Sequence, residues 1–218
     1  MIDFEKASIN ALKYVYPNAT LTGCLFHLSK SLYSKLVDLG YKQQYHTDNA
    51  FSLLMRHFTA LAFVQPHDVT EFFEELSEDD RIPSEFISYF EMTYIGVLRG
   101  RRSNRRRDQP MFPIELWNVY ARTEQALPRT NNNVETFHNA LNISVSNSHP
   151  NLWKLILSLK LEESLATAKR VQFERGDTFP RNKKYADIST RIKHIVDKYN
   201  TCDHLVYLKS ISYTLRLF

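Results

Sequence analysis

Gly23-Cys24-Leu25-Phe26-His27-Leu28-Ser29-Lys30-Ser31-Leu32-Tyr33-Ser34-Lys35-Leu36-Val37-Asp38-Leu39-Gly40 is the stretch that decides the fold class. Its leucines at 25, 28, 32, 36 and 39 recur at three- and four-residue spacing, which stacks them on one side of a helix. Gly40 ends the run, since glycine readily takes the left-handed backbone that closes helices. The same spacing holds upstream, where Phe4, Ala7, Ala11, Leu12 and Val15 mark a helix. Asp3 stands at its cap position and Pro17-Asn18 at its stop. Between the two helices, Ala19 to Cys24 reads as a brief strand or extended entry.

Downstream, helical patterns cover roughly 48–63, 66–76 and 83–95. The segment around Arg101 reads as an exposed loop. Pro113 opens a short helix through Trp117 and Tyr120, a position where proline is tolerated. Val134, Phe137, His138 and Leu141 mark the next, capped by Thr130 or Asn131. A long amphipathic helix is expected over 150–174, then helices over 185–199 and 205–217. The expected fold is mostly α with at most one or two strands. Five Gly and eight Pro in 218 residues weigh against a turn-rich all-β chain, and 43% hydrophobic residues support a sizeable core.

Cys24 and Cys202 make no disulfide framework, which fits a reducing compartment, nucleus or cytosol. No apolar run spans a bilayer, and Met1-Ile2-Asp3-Phe4-Glu5-Lys6 has neither the basic start nor the apolar stretch of a secretory signal. The expectation is a chain that is not secreted and has no membrane partner. Charge is unevenly placed. The chain holds 28 basic and 24 acidic residues, and six arginines (Arg99, Arg101, Arg102, Arg105, Arg106, Arg107) crowd one segment. Without them the balance turns acidic, so basicity is local.

Each candidate functional residue has a plainer reading beside it. Asp3, at a strand–helix junction, can present its carboxylate to a hard cation such as Mg²⁺; it can equally cap the helix. Glu135 is a second potential ligand, with His138 three residues on, or an ordinary first-turn acid. Cys24 and His27 stand one helical turn apart, but a structural zinc takes four ligands, and Cys202 has no cysteine beside it. A packed thiol and a hydrogen-bonded imidazole are the simpler account. The arginine run suits phosphates, which guanidinium groups bind bidentately, or is a solvated loop.

The order of these motifs resembles Mutator-like (MULE) transposases, whose catalytic domain is of DDE type. The chain reads Asp3-Phe4-Glu5, then Tyr16-Pro17-Asn18, Gly23-Cys24-Leu25-Phe26-His27, Tyr94-Ile95-Gly96, Phe112-Pro113-Ile114-Glu115-Leu116-Trp117-Asn118, Arg129-Thr130-Asn131-Asn132-Asn133-Val134-Glu135, His149-Pro150-Asn151-Leu152-Trp153 and Tyr207-Leu208. The resemblance covers nearly the whole chain. It implies the C-terminal portion of an RNase H-like α/β core with a large α-helical insertion and the central strands missing. It makes Asp3 the second acid and Glu135 the last, both metal ligands. Cys24, His27 and His138 would stand near the site, with Mg²⁺ or Mn²⁺ as cofactor. DNA, as transposon ends and target, is the implied partner, with a homo-oligomer as a further possibility.

The segments expected on this reading are 1–40 (partial core with the Cys-x-x-His motif), 41–127 (helical insertion with the arginine loop) and 128–218 (helical part carrying the last acid). The first acid and the central strands are expected ahead of Met1. The reading is therefore a truncated transposase with little or no catalysis. The alternative is a non-catalytic helical module, derived from a transposase, that binds DNA or protein.

Overall fold

The computed structural model describes residues 1–100, 105–145, 151–177 and 183–215. They form two compact units, one of Met1–Thr130 with Asp187–Phe218, the other of Asn131–Ala186. The first unit opens with α1 (Lys6–Val15), α2 (Leu25–Asp38), α3 (Lys42–Thr47) and α4 (Asn49–Ala60). It continues through α5 (Val69–Leu76) and α6 (Ser84–Phe90), the two-residue strands β1 (Leu98–Arg99) and β2 (Arg106–Arg107), α7 (Ile114–Trp117) and α8 (Tyr120–Glu124). The second unit holds α9 (Asn132–Val145) and α10 (Leu152–Glu174). From Asp187 onward α11 (Lys183–Val196) belongs to the first unit, and α12 (His204–Thr214) closes it. The fold is mostly α, as the leucine spacing predicts. Among the described residues no helix is long and apolar enough to cross a membrane.

Helix α4 is the centre of the first unit because it buries nearly its whole circumference. Phe51, Leu54, Met55 and Phe58 are sealed from solvent, and the helix packs on α2, α3 and α12. Asp48 caps it, accepting the Ala50 and Phe51 N–H groups at 2.8 and 3.0 Å. At its other end the Tyr207 hydroxyl of α12 donates to the Phe63 carbonyl at 2.6 Å. A column of rings completes the core. Phe58 meets Phe86 and Phe90 edge-on at 4.9 and 5.1 Å, and Phe90 meets Trp117 at 6.0 Å.

His57 is buried in this helix, 7% exposed, its Nδ1 bonded to the Leu53 carbonyl at 2.7 Å. Burial pushes its pKa below the ordinary 6.5, with the nearby Lys209 ammonium adding to the fall against the opposing Leu53 bond. The unfolded chain therefore takes up the proton first as pH drops, and stability present above pH 6.5 is lost below it as the pH falls toward the folded-state pKa. Urea denaturation from pH 8 to 5 should show this loss, and His57→Gln should flatten it. An identical pH dependence in the variant would remove His57 as the cause.

Several local expectations are corrected. Asp3 does not cap α1: Glu5 holds the cap position, and its carboxylate accepts the Ser8 hydroxyl at 2.8 Å in place of a backbone N–H. Of the brief strand or extended entry expected before α2, the structure has the extended entry, with one parallel bridge, Ile2 to Gly23. The expected helix over 83–95 is α6 followed by a π-turn at Glu91–Ile95, and Gly96 leaves it at φ +95°. A Cβ on Gly96 would lie 1.9 Å from the Asp108 carbonyl oxygen, so only glycine fits there. The arginine segment is not simply a loop, for β1 and β2 pair antiparallel in it. Helix α10 is not cleanly amphipathic, since apolar residues lie all round it and Leu152, Trp153, Leu157 and Phe173 are exposed.

Candidate functional site

Three stretches far apart in sequence meet at the start of α2. The first is the N-terminal segment ahead of α1. The Ile2 N–H donates to the Thr22 carbonyl at 2.8 Å, and the Cys24 N–H donates to the Ile2 carbonyl at 3.0 Å. The second is the Cys24-x-x-His27 motif, with Cys24 at the helix cap and fully buried. The third is Arg129, whose carbonyl accepts the Leu25 N–H at 3.0 Å. Gly23 sits at the crossing. Its N–H donates to the Leu116 carbonyl at 2.6 Å, and a Cβ there would lie 2.6 Å from the Phe4 ring. The absence of a side chain at 23 is what lets Phe4 lie against this backbone.

The parallel bridge points Asp3 toward the first turn of α2. Its Oδ1 lies 2.9 Å from Nδ1 of His27, an ion-pair distance when the imidazole is protonated. The Nδ1 atom is sealed from solvent and has no aligned hydrogen-bond partner, so the contact is close without being directional. The Asp3 side chain remains 54% exposed and that of His27 22%. A half-exposed carboxylate beside a mostly covered imidazole is a workable polar centre: one group is reachable from solvent and the other fixes where it stands. Arg129 adds a partly covered guanidinium that donates to Ser189 Oγ at 3.0 Å, and burial lowers its pKa from the ordinary value.

Glu135 and His138 lie on α9 of the second unit, both exposed. Glu135 is in the first turn, where its N–H donates to the Asn131 carbonyl at 3.2 Å. Among the described residues no three His, Cys, Asp or Glu side chains converge as a metal site. Mg²⁺ asks for near-octahedral oxygen ligands, and one carboxylate beside an imidazole falls short of that. The donor set at α2 therefore does not by itself fit a divalent cation. Cys202 is exposed and close to the Lys198 carbonyl, 3.8 Å from it.

The arginine run divides. Arg101 and Arg102 lie outside the described residues. Arg99 pairs with Asp108 at 2.7 Å across the hairpin. Arg107 turns inward, 16% exposed, to Glu91 and Glu74. Arg105 and Arg106 are exposed, with no ion-pair partner among the described residues. Composition could not separate these fates, because the acids that claim Arg107 lie 16 and 33 residues away. The Asp3–His27 pairing was equally hidden from spacing; only the shared resemblance of their motifs pointed to it. Comparison with family models, with curated proteins and with solved structures gave no match.

Proposed function

We propose that this chain carries the part of a Mutator-like transposase core that holds the second and last acids, and that its partner is DNA. The observation that carries the reading is the meeting of Asp3, Cys24-x-x-His27 and Arg129 at the start of α2, with Asp3 and His27 at 2.9 Å. These are the segments that the resemblance assigns to one active centre. The helices α3 to α8, which lie between the second and third of them in sequence, suit the helical insertion of an RNase H-like core. On this reading Asp3 is the second acid, Glu135 the last, and Mg²⁺ or Mn²⁺ the implied cofactor. DNA as partner points to the nucleus.

The donor set at α2 is incomplete for a cation, so the activity expected of this chain by itself is binding without cleavage. The test is supercoiled plasmid with Mn²⁺, read for nicks, beside fluorescence anisotropy of a labelled duplex. Binding without nicking is the expected result. Nicking that disappears in both Asp3→Ala and Glu135→Ala would overturn the non-catalytic part. Failure to bind duplex at low salt would sink the transposase reading as a whole.

One observation favours the second reading, a helical module that binds protein. On α10, Leu152, Trp153, Leu157, Leu161, Leu165 and Phe173 are all exposed, and exposed apolar surface of this extent marks interaction faces. A chain that binds no DNA but self-associates in sedimentation, and loses that association in Trp153→Ala with Leu157→Ala, would favour it.

A further inference from the structure

We infer that the groove between α1 and the segment 109–113 holds the phosphodiester backbone of a nucleic-acid strand, through Lys6 and Lys13; the inference rests on the reading of DNA as partner. The groove is open to solvent and encloses about 270 Å³. One wall is the face of α1 that carries Lys6, Asn10 and Lys13 at helical spacing. The other is Gln109 to Pro113, and the floor is the buried Ile9, Phe112 and Leu116.

The charge of this groove is unspent. Among the described residues the side chains of Lys6, Asn10, Lys13 and Gln109 have no hydrogen-bond or ion-pair partner, and no carboxylate lines the groove. Arg99 and Arg107, in contrast, are neutralised by acids. Two ammonium groups over a concave surface attract an anion, and lysine meets phosphate as a point charge. Their spacing favours a polymer. Seven residues of helix separate Lys6 from Lys13 by about 10 Å along the axis, which lets each ammonium group meet a different phosphate of one strand. Asn10 and Gln109 add amide donors between them.

The groove also adjoins the candidate site. Phe4 follows Asp3 directly, and its ring stands edge-on to Phe112 of the floor at 5.2 Å. Leu116, at the floor, supplies the carbonyl that holds Gly23. A strand lying along α1 would therefore pass beside the segment that presents Asp3.

The experiment is anisotropy of a short labelled duplex against the full chain over a range of salt. K6A/K13A should weaken binding roughly tenfold and lower the slope of log affinity against log salt by about two. K6R/K13R should restore both, and K42A/K198A, which removes the same charge from other exposed positions, should change affinity little. Should the alanine pair lose helicity in circular dichroism, K6Q/K13Q carries the same test. Wild-type binding with an unchanged slope in K6A/K13A would overturn the groove assignment and leave the DNA reading standing. No wild-type binding would overturn both. Competition by inorganic phosphate at low millimolar concentration would assign the groove to a small anion and overturn the strand.

Discussion

Replacing Trp117 with Ala is expected to cost the first unit about 3–5 kcal/mol, the range for removing a large aromatic from a packed core. Trp117 is 1% exposed. Its ring meets Phe90 and Tyr94 edge-on at 6.0 and 6.1 Å, and its Nε1–H donates to the Tyr94 carbonyl at 3.3 Å. Truncation leaves a ring-sized cavity and an unbonded carbonyl together. The damage also reaches the candidate site, because the adjacent Leu116 carbonyl anchors Gly23. A fall in melting temperature of about 6–20 °C should accompany the loss, at roughly 2–4 °C per kcal/mol for a unit of this size. Trp153→Ala is the control, since that ring is 74% exposed; it should shift stability by no more than about 0.5 kcal/mol. The chain has two tryptophans, so the Trp153 variant also isolates Trp117 emission as a report on core unfolding. A loss below about 1 kcal/mol in Trp117→Ala would mean that the core closes over the gap, contrary to the packing described.

The ring column was legible in part. Phe86, Phe90 and Tyr94 are four residues apart, a spacing that a helix over 83–95 puts on one face. The π-turn over Glu91–Ile95 was not legible, because one widened turn leaves no period of its own. Helix α3, Lys42–Thr47, escaped for a similar reason: only Tyr45 of its six residues is buried, too few to make a stripe. Asp3 illustrates the limit for the site. Capping rules are local, and they offered α1 as its partner. The partner it takes, His27, lies across a parallel bridge that depends on Gly23 leaving room for Phe4. Lys6 and Lys13 carried no signal in sequence at all. Two lysines on an exposed helix face are common, and what singles them out is the wall opposite.

Arg107→Ala is expected to cost about 2–3 kcal/mol, although in sequence it is one arginine of six. Its Nη1 donates to Glu91 Oε1 and to the Gly96 carbonyl, each at 2.7 Å, and its Nη2 donates to Glu74 Oε1 at 2.5 Å. The guanidinium also lies over the Phe73 ring, 6.0 Å from its centre. Removing one partner of a covered ion pair strands the other, which costs about 3–5 kcal/mol when both are buried. The figure here is discounted because Glu74 is 55% exposed and partly screened by solvent. Glu91 is only 26% exposed, and it bears most of the loss together with the Gly96 carbonyl at the end of the π-turn. Urea denaturation of Arg107→Ala, Glu91→Ala and the double variant should give a coupling of more than about 1 kcal/mol. Duplex affinity and its salt slope should be unchanged by Arg107→Ala at a temperature where the variant is folded. The opposite pattern, intact stability with lost affinity, would mean that this guanidinium faces phosphate and not acid. Under the expected pattern, Arg107 is the fastening of the hairpin to α5 and the π-turn, and of the described arginines only Arg105 and Arg106 in the segment keep a charge to offer DNA.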